Sequence, residues 1–106
     1  MKRIELDGSA WLTANDFYSA LLVEIGAPDW HGRSIAALID SMIIGDINAV
    51  EAPYSVVVRN WSEAEESAQI ALVDGFTALA RYGAKASFTR TEATVEIASG
   101  SQTSLG

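Results

Sequence analysis

The residues able to do chemistry gather in one stretch of the chain. His31 is the only histidine, with Asp29 just before it and Asp40 further on. An imidazole and carboxylates can form an acid/base set, the ring moving a proton while a carboxylate orients it. The same histidine has no second histidine and no cysteine with which to share a metal ion. No Gly-x-Ser-x-Gly elbow and no glycine-rich phosphate loop before a helix occurs. Gly45-Asp46-Ile47-Asn48 resembles a calcium loop in residue type but lacks the acid spacing. These residues point away from an enzyme and imply neither cofactor nor metal. A small enzyme using His31 with Asp40 is kept as the third reading.

Recognition suits the same residues better. Trp30 stands beside His31 and Gly32 in a turn. A loop tryptophan either covers the edge of the core or anchors an interface beside acids. The charge points the same way: the chain carries a net −7, and from Ser34 to Ala80 its acids are Asp40, Asp46, Glu51, Glu63, Glu65, Glu66 and Asp74 against the single base Arg59. Such a field repels nucleic acid and attracts cationic surfaces, or else keeps the protein soluble.

The elements that must position these residues can be read from periodicity. Residues 1–6 alternate weakly, with Ile4 and Leu6 on one face, and Asp7-Gly8 ends a first strand. Thr13 followed by Asp16 is a variant capping box for a helix over 13–25 with Tyr18, Leu21, Leu22 and Ile25 inward; Gly26 and Pro28 stop it. Ser34 can cap a second helix, its inner stripe Ile35, Leu38, Ile39 and Met42 and its outer side Ala36, Ala37, Asp40 and Ser41. Tyr54-Ser55-Val56-Val57-Val58-Arg59 predicts a strand covered on both faces. Ser62 and Glu65 form a capping box for a last helix with Leu72, Phe76, Leu79 and Ala80 inward, kinked or divided at Asp74-Gly75 and stopped by Gly83. Trp61, just before that cap, packs back on the core. Residues 86–89 predict a third strand, and Thr94 to Ile97 can add a fourth. The β-α-α-β-α-β order favours parallel pairing.

At this point the residues resemble a known family. Ala27-Pro28-Asp29-Trp30-His31-Gly32-Arg33-Ser34-Ile35-Ala36-Ala37-Leu38-Ile39-Asp40-Ser41 is similar to the binding segment of the barstar family, intracellular inhibitors of the ribonuclease barnase. Pro28, Trp30, Gly32, Ala37, Leu38 and Asp40 match in ungapped register, and a looser similarity covers roughly residues 1–90, including Pro53-Tyr54, Phe76 and Gly83. The resemblance implies inhibition by occlusion, with the second helix and its preceding loop entering a basic active-site groove and acids taking the places of substrate phosphates. It also implies association steered by charge. Asp40 matches the family's central acid and Trp30 an aromatic contact. The family's other acid on this helix falls on Ala36, its helix tryptophan on Ile39, and the acid of its last helix on Ala78. His31 and Arg33 add positive charge. These departures imply a cognate target other than barnase, with Asp46 and Glu51 as replacement acids.

The chain is therefore expected to be an α/β protein, with a small three-stranded parallel sheet packed by three or four helices and an extra C-terminal strand left open. Residues 1–98 are read as one domain and 99–106 as a flexible polar tail. The expected function is that of an inhibitor or immunity protein for a ribonuclease or nuclease toxin, acting in the cytoplasm without nucleic acid, membrane or cofactor. The partner surface is Asp29, Trp30, His31, Gly32, Arg33, Ala36, Ile39, Asp40 and Asp46. The alternative is a non-enzymatic interaction module of the same fold with a basic, non-nuclease partner. The absence of cysteine excludes disulfides within this chain and fits a reducing compartment. No run reaches the roughly 18 apolar residues of a membrane span, and the N-terminal residues do not form a signal peptide.

Overall fold

The computed structural model describes residues 2–26, 34–39, 42–43 and 53–97. In chain order these form β1 (Lys2–Asp7), α1 (Ala14–Glu24), α2 (Ile35–Ile39), β2 (Tyr54–Arg59), a 3-10 turn (Trp61–Glu63), α3 (Glu66–Arg81), β3 (Lys85–Phe88) and β4 (Glu92–Ile97). The four strands make one sheet in the order β1-β2-β4-β3.

The α/β class, the common direction of β1, β2 and β3 and the extra C-terminal strand are as expected, and the place of that strand makes the sheet mixed. β1 runs parallel to β2, but β4 is antiparallel to both β2 and β3. β2 and β3 therefore point the same way, as a strand–helix–strand unit requires, with β4 inserted between them. The reason lies in two short stretches. Thr89 closes a tight hairpin: its N–H donates to the Glu92 carbonyl (2.7 Å), and its hydroxyl accepts from the Glu92 N–H (3.0 Å). A hairpin forces antiparallel neighbours. β4 also carries an apolar row, Ala93, Val95 and Ile97, all at or below 2% exposure, which demands the sheet interior, whereas the four-residue β3 is largely exposed and suits an edge.

The register puts Ile4, Val56, Val95 and Ala86 in one row across the sheet. That face joins Phe17, Leu21, Leu22 and Ile25 of the α1 segment, Leu38 of α2, and Leu72, Phe76 and Leu79 of α3 in a single core. The opposite face carries Arg3, Glu5, Arg59 and Glu96, all exposed. At its centre β2 is buried on both faces, as expected, with Val56 and Val58 on the core side and Val57 on the other. Among the described residues the helices pack on one side, and Val57 is buried on the other side between its register partners Glu5 and Thr94. Arg3 and Arg59 both pair with the Glu5 carboxylate there, at 3.0 and 2.7 Å.

The helix ends follow local chemistry in part. Thr13 accepts from the Asp16 N–H while the Asp16 carboxylate accepts from the Leu12 and Thr13 N–H groups, completing the box at α1. Gly26 (φ 74°) and Gly83 (φ 105°) adopt the left-handed backbone that ends α1 and α3. The Ser62–Glu65 box does not form. Ser62 lies inside the 3-10 turn, and Glu65 is the N-cap of α3 without a side-chain cap bond. The turn is held instead by Trp61, whose Nε1–H donates to the Thr89 carbonyl (3.0 Å) and whose ring lies 5.8 Å from that of Phe88. Trp61 packs on the core as expected. α3 is one helix through Asp74-Gly75, and Ala80, expected inward, is exposed.

Candidate partner-binding site

Seven of the nine expected partner residues, Asp29, Trp30, His31, Gly32, Arg33, Asp40 and Asp46, lie outside the described residues, as does Glu51. The other two, Ala36 and Ile39, are on α2, so the seating of α2 is what the structure says about the site. The described part of α2 is held by tertiary packing. Two contacts hold it. The Ser34 hydroxyl accepts from the Ala37 N–H (3.1 Å), satisfying a donor at the helix start as expected. Leu38 is fully buried and joins Met42 and Ile43 in the core.

The closest approach is at α3. A Cβ built on Gly75 would stand 2.9 Å from Leu38 Cδ1 and 3.2 and 3.3 Å from the Phe17 ring, where carbon atoms ordinarily keep about 3.5–4.0 Å. Only glycine lets the α2 side chain lie this close to the α3 backbone. Phe17 cannot easily yield, since its ring is packed against Trp11 (5.7 Å), Tyr18 (5.1 Å) and Phe76 (6.1 Å).

With Leu38 fixed inward, Ala36 is exposed and Ile39 is half-buried against the core. Ala37 is buried, where the helical pattern placed it outward, so of the expected outward side only Ala36 is exposed among the described residues. Ala78, on α3, is half-buried. Phe17 and Gly75 are the positioning residues that periodicity missed. The signal for Gly75 was its place inside a helical run, read as a kink when it marks a close approach.

The described acids do not form one patch. Glu63, Glu65 and Glu66 are exposed at the start of α3. Asp74 lies about 12 Å further along the helix from Glu66, beside the α2 contact. Burial, and then the charge of Asp74, raise the Tyr18 hydroxyl above its ordinary pKa. Among the described residues no group of three or more His, Cys, Asp or Glu side chains can hold a metal ion. No described helix is long and apolar enough to cross a membrane.

The family model for Barstar (barnase inhibitor) matches residues 1–97. No curated protein and no solved structure matches the chain. Because the family match spans every described element, from β1 through the seat of α2 to the end of β4, the chain belongs to the barstar family.

Proposed function

We propose that this chain is a cytoplasmic inhibitor or immunity protein that binds a ribonuclease or nuclease toxin and closes its basic active site. The observation that carries the reading is the family match over residues 1–97. The physical support is preorganisation of α2 itself: it is capped by Ser34 and pressed onto α3 at Gly75, so this helix loses little freedom when a partner binds. Asp40 follows α2 directly in the chain, and Asp29 to Arg33 precede Ser34. In the proposal Asp40 pairs with active-site cations, and Trp30 is the aromatic anchor, flanked by Asp29, His31, Gly32 and Arg33. Ala36 and Ile39 supply small and apolar contact between them, and Asp46 contributes a further acid. The net charge of −7 draws the basic groove toward this surface.

The test is RNA hydrolysis by a panel of purified ribonucleases and nuclease toxins with the chain added in increasing amounts. Stoichiometric loss of turnover for at least one member, weakened by salt, is the expected result. The proposal fails if no nuclease is inhibited and a basic non-nuclease protein is bound instead.

A further inference from the structure

We infer that the free edge of β1 is a self-pairing surface, through which two copies of this chain join their sheets antiparallel about a two-fold axis at Ile4. β1 is the outermost strand of the sheet on its side, and among the described residues no strand pairs with its other edge. The Gly8 N–H donates to the Arg59 carbonyl (2.8 Å), so the even-numbered residues of β1 turn their backbone groups toward β2. Arg3, Glu5 and Asp7 accordingly aim theirs at the free edge, a ready template for another strand.

The charges select the occupant. The strand reads Lys2-Arg3-Ile4-Glu5-Leu6-Asp7, basic in its first half and acidic in its second. Charge on an edge normally discourages pairing. Here the signs are separated along the strand, so an antiparallel second copy is complementary, whereas an in-register parallel copy sets like against like. For two sheets to continue with the same face inward, even residues must oppose even ones and odd ones odd. With Ile4 opposite Ile4, Arg3 of each copy opposes Glu5 of the other, and both are residues whose backbone groups face the edge. Moving the axis to residue 5 sets Glu5 against Glu5, though it also pairs Arg3 with Asp7, and moving it to residue 3 sets Arg3 against Arg3, so each shifted register has a like-charge pair at its centre.

Arg3 and Glu5 already pair within one chain on the exposed sheet face, about half exposed at 56% and 42% of their side chains. Exchanging that partner for the same group of a second copy gains little charge energy. Association therefore rests on the new backbone ladder and the Ile4 pair, with charge setting register, and it is weak and reversible.

The test is sedimentation velocity on the full chain from about 10 µM to about 1 mM. The expected result is a mass rising reversibly from 11.3 kDa toward the dimer value. Arg3→Glu and Glu5→Arg each place like charges in opposition, and each weakens self-association about tenfold. An equimolar mixture of the two variants associates at least as well as the original chain, because each supplies what the other repels. Glu5→Pro removes an edge-facing N–H without touching the ladder to β2 and leaves a folded monomer by circular dichroism. The inference is overturned if the chain stays monomeric to the top concentration, or if the two charge variants separately match the original while their mixture shows no gain.

Discussion

Gly75→Ala tests how α2 is held, and its sign comes from two opposed terms. In a helix interior alanine is favoured over glycine by about 1 kcal/mol, so propensity alone makes the variant more stable. Against this, the new methyl falls 2.9 Å from Leu38 Cδ1 and 3.2 and 3.3 Å from two Phe17 ring atoms. Leu38 Cδ1 is the end of a flexible side chain and can swing away. The Phe17 ring, fully buried and packed by Trp11, Tyr18 and Phe76, has no free direction. Overpacking of this kind costs about 1–3 kcal/mol, leaving a net loss of about 1 kcal/mol. Urea unfolding followed by circular dichroism reads it as a lower midpoint at unchanged slope. Leu38→Ala alone should cost about 2–5 kcal/mol, as it empties a fully buried site. In the double variant the methyl enters the space Leu38 leaves, so the combined loss falls short of the sum by about 1 kcal/mol. A Gly75→Ala protein about 1 kcal/mol more stable than the original, or strict additivity in the double variant, would refute the close approach.

Two further outcomes follow from other buried and capping groups. Tyr54 is 1% exposed, its hydroxyl has no hydrogen-bond partner among the described residues, and burial raises its pKa well above the usual value; Tyr54→Phe should therefore be neutral or stabilising by up to about 1 kcal/mol in urea unfolding, and a comparable loss would mean that the hydroxyl is satisfied. The Asp16 carboxylate, accepting first from the Leu12 N–H and then from Thr13, is held below its usual pKa of 3.8. A depressed folded-state value contributes stability above the unfolded pKa that is lost as pH falls through the folded one. Asp16→Asn should then lower the unfolding midpoint at neutral pH, with the gap to the original protein closing below about pH 4, and a gap constant with pH would show that the carboxylate charge is not what holds the α1 cap.

Much of the fold was legible because its signals are local. Thr13 and Asp16 announce the start of α1, Ser34 the start of α2, and Gly26 and Gly83 the ends of two helices through the one backbone conformation they take readily. The place of β4 was not legible. Its apolar alternation marks a strand, but insertion between β2 and β3 depends on which neighbour buries Val95, a non-local choice. Ser62 misled because its cap pattern competes with Trp61, whose bond to Thr89 fixes a 3-10 turn at that point. Phe17 was missed because Tyr18, one residue on, fits the same stripe by spacing, and only packing shows which ring is central. For the candidate site the legible part was chain order and charge. Its support from Gly75 was not legible, since a helix glycine looks alike whether it bends the helix or admits a neighbour.

The central claim is that Asp40 binds the catalytic cations of a nuclease. The most direct measurement is the affinity of Asp40→Ala, against that of the original chain, for the nuclease identified by inhibition, taken at two salt concentrations. Loss of a charged anchor at the centre of an interface predicts a drop of at least about thirtyfold, corresponding to 2 kcal/mol or more, together with a shallower salt dependence. An affinity and salt dependence unchanged by Asp40→Ala, in a protein that still folds, would contradict it.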